Sequence, residues 1–150
     1  MLHAPVFIGL GFMIAILYID LQFDLLGLPY TQSGAQVPPG VLGQVATYYG
    51  VITKNPYLLM FVMMTTLACI IAEIIYGLVP AWAGYTSLVL MLAAMGGGVV
   101  KVIPTAQRLA TDKDSLEERS RMVKGMFPAH MFLLICILSL SAVQFFATAR

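Results

Sequence analysis

Four long apolar segments alternate with shorter polar stretches along the chain. The segments cover residues 5–28, 57–79, 81–103 and 127–148. Each has about the 20 residues that an α-helix needs to cross the hydrocarbon core of a bilayer. The pattern therefore predicts a single transmembrane domain over residues 1–150 with four membrane-spanning helices.

The connections between the segments predict how the helices are arranged. Only a few residues around Pro80 separate the second and third segments, so the chain must turn back sharply and form an antiparallel hairpin. After the first segment, apolar residues recur at spacings of three and four over residues 41–53. This stretch is either a short helix in the membrane interface or a structured loop packed under the bundle. The predicted fold is all-α, an up-down four-helix membrane bundle with a short interfacial helix after the first span.

The composition supports a membrane location. Hydrophobic residues make up 60% of the 150 residues and charged residues only 10%, and the mean hydropathy is +0.90. A soluble domain carries roughly 25% charged residues, so a chain this apolar must turn much of its surface towards lipid. The net charge of +1 leaves no basic face large enough to bind nucleic acid. The lipid bilayer is the partner that the composition predicts.

The basic residues predict the orientation of the chain. Most of them, including Lys54 and Arg108, lie in the loops over residues 29–56 and 104–126. The positive-inside rule places these loops inside and both termini outside, in a bacterial inner membrane or an organellar membrane. Within the second loop, Ser115 is followed three residues later by a glutamate, which is the spacing of a capping box. The fourth helix is therefore expected to begin in water, near Ser115.

The third segment carries a face of small residues. Its members are Ala93, Ala94, Gly97 and Gly98, which form two small-xxx-small pairs. Such pairs let another helix approach closely. That helix belongs either to this chain or to another protein. The second alternative predicts a partner-packing surface for other transmembrane subunits.

Ionisable residues inside a membrane are costly, so each is a candidate functional residue. Asp20 and Asp24 lie one helical turn apart and share a helix face. Lys101 ends the third segment and His130 begins the fourth, so both are expected at a similar depth, with Arg108 further out. We expect these side chains to gather at the inner end of the bundle.

This group has two interpretations. In the first, Asp20, Asp24 and His130 bind a metal or act as base and acid on a hydrophobic substrate that enters from the lipid. In the second, Lys101 and Arg108 neutralise the carboxylates in intramembrane ion pairs. The chain has no Glu-x-x-His pair of the kind that binds di-iron centres. No metal site is predicted, and the sequence identifies no cofactor.

Glu73 is expected alone near the outer end of the second segment, and His3 lies on the opposite side of the membrane from His130. Glu73 is either a proton-relay carboxylate or a hydrogen-bond partner of a neighbouring helix or subunit. The sequence predicts no link between Glu73 and the group at the inner end.

Two stretches carry a family resemblance. They are YIDLQFD at residues 18–24 and PTAQRL at residues 104–109, and His130 follows them in the fourth segment. Together they resemble small four-helix membrane proteins of unknown function that are related to the anthrone-oxygenase-like family. The resemblance implies a four-helix membrane fold and, as one possible activity, cofactor-independent oxygenation of a phenolic substrate.

The sequence favours a small non-catalytic subunit or accessory protein of a larger membrane complex. This interpretation depends on the small number of polar groups, the glycine-rich face and the small extramembrane parts. The alternative is a cofactor-independent membrane enzyme, oxygenase-like or isomerase-like, that acts on a lipophilic substrate. In that case Asp20, Asp24 and His130 are its acid–base groups.

Overall fold

The computed structural model describes residues 3–111 and 113–149, and this part of the chain is helical, without strands. The helices are α1 (His3–Asp24), α2 (Leu28–Ser33), α3 (Pro39–Ile52), α4 (Tyr57–Ile75), α5 (Ala81–Gly97), α6 (Ile103–Leu109) and α7 (Leu116–Thr148). A π-helical turn over Gly98–Val102 joins α5 to α6 without a break. The prediction of an all-α fold is confirmed.

Four of the helical stretches are long and apolar enough to cross a membrane, namely α1, α4, the continuous stretch Ala81–Leu109 and α7. They match the four apolar segments of the sequence. α7 packs against α5 and α1, and α4 packs against the same two helices. The buried core between them consists of Val6, Leu10, Met13, Leu17, Ile70, Met91, Ala94, Leu133, Cys136, Ile137 and Leu140.

The end of the first span differs from the prediction. The helix α1 ends at Asp24, before residue 28, and a turn leads into the short helix α2 in place of the expected loop. Pro29 stands in the first turn of α2, where its missing N–H costs least. Gly34 ends α2 with a φ of 71°, a left-handed conformation that suits glycine.

The predicted short helix after the first span is present as α3. Its apolar side, with Leu42, Val45 and Tyr49, is buried against Leu109 of α6 and Val123 of α7. The loop before α3 is fixed to α7 because the backbone N–H of residue 37 donates to the Ser120 hydroxyl at 2.9 Å. These contacts hold α3 across one end of the long helices.

The last helix begins where the capping pattern predicts. The Ser115 side chain accepts a hydrogen bond from the backbone N–H of Glu118 at 3.2 Å, and α7 starts at Leu116. The helix continues through Pro128 to Thr148. One long element therefore supplies side chains to both ends of the bundle.

The small residues of the third span pack within the chain. A Cβ added at Gly97 would lie 2.9 Å from Leu133 and 3.4 Å from Phe132, both on α7. Ala94 and Gly98 are buried and Ala93 is packed against the core. Gly97 of this face therefore has α7 of the same chain as a close neighbour, and the partner-packing surface expected at Ala93, Ala94, Gly97 and Gly98 stays a prediction.

Candidate functional site

The two aspartates of α1 lie at its carboxyl end, on the face that meets α7. Asp20 is 6% exposed and Asp24 2% exposed, although both are ionisable. His130 of α7 is 1% exposed and lies beside them. The structure thus brings together the three residues that the sequence names as acid–base candidates.

The imidazole of His130 lies between the two carboxylates. Its Nδ1 is 2.6 Å from Oδ2 of Asp24, which is a short hydrogen-bond distance. Its Nε2 is 3.7 Å from Oδ2 of Asp20, within ion-pair range. Both ring nitrogens therefore face a carboxylate oxygen, and a proton on either nitrogen finds an acceptor or a counter-charge.

Two adjacent tyrosines of α3 complete the site. The Tyr48 hydroxyl donates to Oδ1 of Asp20 at 2.6 Å, and the Tyr49 hydroxyl donates to Oδ1 of Asp24 at 2.9 Å. Each carboxylate is thus held by one phenol on one oxygen and faces His130 with the other. We name these five residues, Asp20, Asp24, Tyr48, Tyr49 and His130, the inner cluster.

Burial keeps both phenols protonated. Removal from water, followed by the hydrogen bond to Asp20, raises the pKa of Tyr48 well above its ordinary range. For Tyr49, burial and then the charge of Asp24 raise the pKa in the same direction. The two tyrosines therefore act as hydrogen-bond donors that orient the carboxylates.

The charges of the inner cluster leave room for exchangeable protons. Two ionised carboxylates carry two negative charges, and one imidazolium cancels one of them. A further proton is needed for neutrality, and neutrality is favoured strongly where the surroundings are apolar. Asp20, Asp24 and His130 thus bring two carboxyl groups and an imidazole together, which are side chains of the types that act as general acids and bases.

One edge of the inner cluster reaches the surface. Tyr48 is only half-buried, whereas Tyr49, Asp24 and His130 are buried. The Tyr48 ring stacks on Phe23 with ring centroids 3.8 Å apart. This aromatic pair covers the Asp20 side of the cluster, so a molecule that approaches the carboxylates meets Tyr48 and Phe23 first.

The ion pairs expected between the two aspartates and Lys101 or Arg108 are not formed among the described residues. Arg108 instead contacts Asp114 and Glu118, each at 2.7 Å, on the polar side of the bundle. The hydrogen bond from Arg108 lowers the pKa of Asp114 below its ordinary range. Lys101 is exposed and has no ion pair with Asp20 or Asp24 in the part of the chain that the structure describes. Arg108 finds carboxylates nearby in sequence, and the basic side chain that the described residues place beside Asp20 and Asp24 is His130.

The sequence carries only a weak signal for the tyrosines. Tyr48 and Tyr49 are part of the apolar pattern that predicts α3, and only their hydroxyls distinguish them from core residues. The informative signal is the pair of adjacent aromatic residues with polar tips on a helix next to the two aspartates, because a buried tyrosine hydroxyl needs a partner.

A metal site receives no support from the geometry. Among residues 3–111 and 113–149, no three His, Cys, Asp or Glu side chains are placed to hold a metal ion together. The described cysteines, Cys69 and Cys136, are unpaired thiols within the spans.

Comparisons with protein-family models, with curated proteins and with solved structures found no match to this chain. The resemblance to the anthrone-oxygenase-like family therefore stays a prediction. The function has to be argued from the site itself.

Proposed function

We propose that the chain is a small integral membrane enzyme that transfers protons to and from a lipophilic substrate at the inner cluster. The observation that carries this proposal is the position of the buried His130 between Asp20 and Asp24. Within the described residues, the two carboxylates have this histidine as their ion-pair partner, and not a lysine or arginine. Such an arrangement supplies a base and an acid within one hydrogen-bonded group.

A purely structural role explains the inner cluster less well. Each buried ionisable group costs several kcal/mol unless it is paired well, and apolar residues of similar size often replace such groups without loss of stability. Asparagine or serine at these positions would satisfy neighbouring donors at a lower cost. Three ionisable side chains held together in the interior therefore favour a chemical role.

The proposed topology places the site at the cytoplasmic end of an up-down bundle. The loops with most of the basic residues lie at that end, as the positive-inside rule requires of a cytoplasmic side. A lipophilic molecule reaches the site from the membrane interface by displacing or passing the Tyr48–Phe23 pair. In the proposed reaction, Asp20 or His130 removes a proton from the substrate, and Asp24 fixes the imidazole.

The reaction class follows from the groups present. Proton removal from a phenol or from the carbon beside a carbonyl group produces an electron-rich anion. Isomerisation needs only the return of the proton to another atom, whereas oxygenation needs molecular oxygen as the oxidant. The resemblance noted in the sequence favours a phenolic substrate and oxygenation, and the inner cluster supplies the shared first step.

Deuterium exchange tests the shared first step without knowledge of the final product. The purified chain in detergent is incubated in heavy water with lipophilic phenols and enolisable ketones, and deuterium at carbon is measured by mass spectrometry. We expect the wild-type chain to accelerate exchange. Asp20→Asn and His130→Gln should each slow the exchange by about a hundredfold or more while the chain stays folded, because general acid–base groups contribute on that scale.

The matched control is Asp114→Asn, which removes the same charge outside the inner cluster. It should exchange deuterium at the wild-type rate. A wild-type chain that exchanges none of these compounds, or full rates in both Asp20→Asn and His130→Gln, would count against the proposal.

A second candidate function is the accessory subunit that the sequence favours. One observation supports it: of the four long helical stretches, α4 is the least buried within the chain. Only 17% of its most apolar 18-residue stretch is buried. Its outward side has a shallow apolar groove lined by Phe61, Met64, Thr65, Ala68, Cys69 and Ala72. A partner helix on α4 would be an alternative to the surface predicted on α5, and lipid chains would cover the same groove in an isolated chain.

A further inference from the structure

A second polar cluster lies at the opposite end of the bundle. Each of the four long helical stretches supplies one residue: His3 from α1, Glu73 from α4, Ser87 from α5 and Gln144 from α7. We name these four residues the outer cluster. The sequence predicts Glu73 alone at this end, and its contacts correct that expectation.

The carboxylate of Glu73 is held on both oxygens. Oε1 lies 2.6 Å from Nδ1 of His3, and Oε2 accepts a hydrogen bond from Nε2 of Gln144 at 3.0 Å. The same amide nitrogen donates to the Ser87 hydroxyl at 3.1 Å. Gln144 and Ser87 therefore fix the orientation of Glu73, and Glu73 fixes the orientation of His3.

His3 is the most exposed residue of the outer cluster. Glu73, Ser87 and Gln144 are each 0% exposed, whereas the His3 side chain is 33% exposed. The amide oxygen of Gln144 is buried and accepts no hydrogen bond from the described residues. Of the four residues of the outer cluster, His3 is therefore the one that a protic molecule outside the bundle can contact.

The contact with Glu73 places Nδ1 of His3 against a carboxyl oxygen. When Glu73 is ionised it only accepts hydrogen bonds, and Nδ1 is then the donor. The lone pair of a neutral imidazole is then on Nε2, which is not the nitrogen that contacts Glu73. A buried carboxylate that holds Nδ1–H and leaves the Nε2 lone pair available is the arrangement that makes histidine a general base.

His130 differs from His3 in this respect. Both nitrogens of His130 face carboxylate oxygens, and the ring is buried. The two clusters are also separate, because α1 places Val6, Leu10 and Met13 between them. What happens at the outer cluster is thus independent of the function proposed for the inner cluster.

We propose that His3 is the base of a second acid–base site, which takes a proton from water or from a hydroxyl compound at the outer end of the bundle. Nε2 accepts the proton, and Glu73 stabilises the imidazolium that results. Glu73 is a positioning residue, and Gln144 and Ser87 keep its carboxylate in place.

Diethyl pyrocarbonate tests the reactivity of Nε2 directly. In this reaction the unprotonated imidazole nitrogen attacks a carbonyl carbon, an N–C bond forms, the anhydride C–O bond breaks, and ethyl carbonate leaves. The full chain is treated in mild detergent, and the modification of His3 and His130, the two histidines of the sequence, is followed by peptide mass spectrometry. In the wild-type chain, His3 should react at least about tenfold faster than His130.

Substitution of Glu73 shows whether the reactivity of His3 depends on its contact with Glu73 or only on its exposure to solvent. Glu73→Gln removes the charge that stabilises the positive charge on the attacking imidazole, so His3 should react about tenfold more slowly. Glu117→Gln is the control, because Glu117 is exposed and far along the chain from the outer cluster. It should leave the rate at His3 unchanged. The rate at His130 serves in each variant as a check that the bundle is folded.

Two results would overturn the proposal. One is a wild-type chain in which His3 reacts as slowly as His130. The other is an unchanged rate at His3 in Glu73→Gln while His130 remains protected. If His130 becomes reactive in Glu73→Gln, the experiment is repeated with Glu73→Asp. The aspartate keeps the negative charge, but its shorter side chain moves the carboxylate away from Nδ1 of His3. A slower reaction of His3 in that variant supports the proposal, and a wild-type rate contradicts it.

Discussion

Asp24 is the residue on which the inner cluster depends most. One of its oxygens accepts from Tyr49 and the other lies 2.6 Å from His130, so the carboxylate joins three helices, α1, α3 and α7. Asp20 shares the same helix face but reaches the half-buried Tyr48 and lies further from the imidazole. The two carboxylates therefore have different surroundings, which is how one site assigns different tasks to like groups.

The tyrosines give a prediction at alkaline pH. Because the folded state raises the pKa of Tyr48 and Tyr49, their contribution to stability is present below the ordinary tyrosine pKa of about 10 and is lost progressively as the pH rises above it. Tyrosinate absorbance in a pH titration should show a fraction that ionises only as the protein unfolds. Tyr48→Phe combined with Tyr49→Phe should lack that fraction.

The opposite result would be a double variant that loses absorbance only from the tyrosines that ionise near pH 10 and keeps a late-ionising fraction as large as that of the wild-type chain. That outcome would mean that the phenols are in contact with water and do not hold the carboxylates. Tyr57→Phe is the matched control, since Tyr57 is 76% exposed and lies outside the inner cluster.

Some of these residues can be found from the sequence, and others cannot. Asp20, Asp24 and His130 are conspicuous because ionisable side chains are rare in apolar segments. The partners of Arg108 could not be predicted from its depth in the membrane, because depth gives no information about the carboxylates of the loop that follows. The structure pairs Arg108 with Asp114 and Glu118. The outer cluster escapes a sequence-based prediction because Gln144 and Ser87 are uncharged and His3 is distant from both along the chain.

At the scale of the elements, α3 completes the inner cluster, because its two tyrosines bind the two aspartates of α1. It is a short helix between two loops, yet it supplies both phenols and buries its apolar side against α6 and α7. The periodic spacing of apolar residues predicts the helix. The direction in which it lies cannot be predicted in this way, because that depends on contacts such as Ser120 with the preceding loop.

The contact between α5 and α7 gives a second prediction. Gly97→Leu should weaken the packing of these helices and lower the unfolding free energy by about 1–3 kcal/mol, since the added side chain meets Leu133 and Phe132. Gly96→Leu is the matched control, because a Cβ there meets nothing within 4 Å. Equilibrium unfolding in detergent, followed by circular dichroism, measures both variants.

Equal stability of Gly97→Leu and the wild-type chain would contradict the packing described for α5. Such a result would return the face formed by Ala93, Ala94, Gly97 and Gly98 to the role of a surface for another protein. The present contacts favour the intramolecular role, because Ala94 and Gly98 are already buried.

At the scale of the whole molecule, two polar clusters lie at opposite ends of an apolar core. His3 and Asp20 are separated by about 26 Å along α1, at 1.5 Å per residue. The residues of α1 that are buried between them, such as Leu10, Met13 and Leu17, are apolar. In the two proposals made above, the clusters are therefore local acid–base sites and not the two ends of one proton path. The number of apolar helices long enough to span a membrane follows from the hydrophobic pattern, whereas the clusters follow only from packing.

The native mass of the chain, extracted from its own membrane in a mild detergent, tests most directly whether the protein works through its own inner cluster. Gly97 of its small-residue face already packs against Leu133 and Phe132 of α7. We expect a monomer or a small homo-oligomer that retains the deuterium-exchange activity. Recovery of the chain only in a large assembly of fixed stoichiometry with other subunits, without such activity, would contradict the enzymatic role and favour the accessory one.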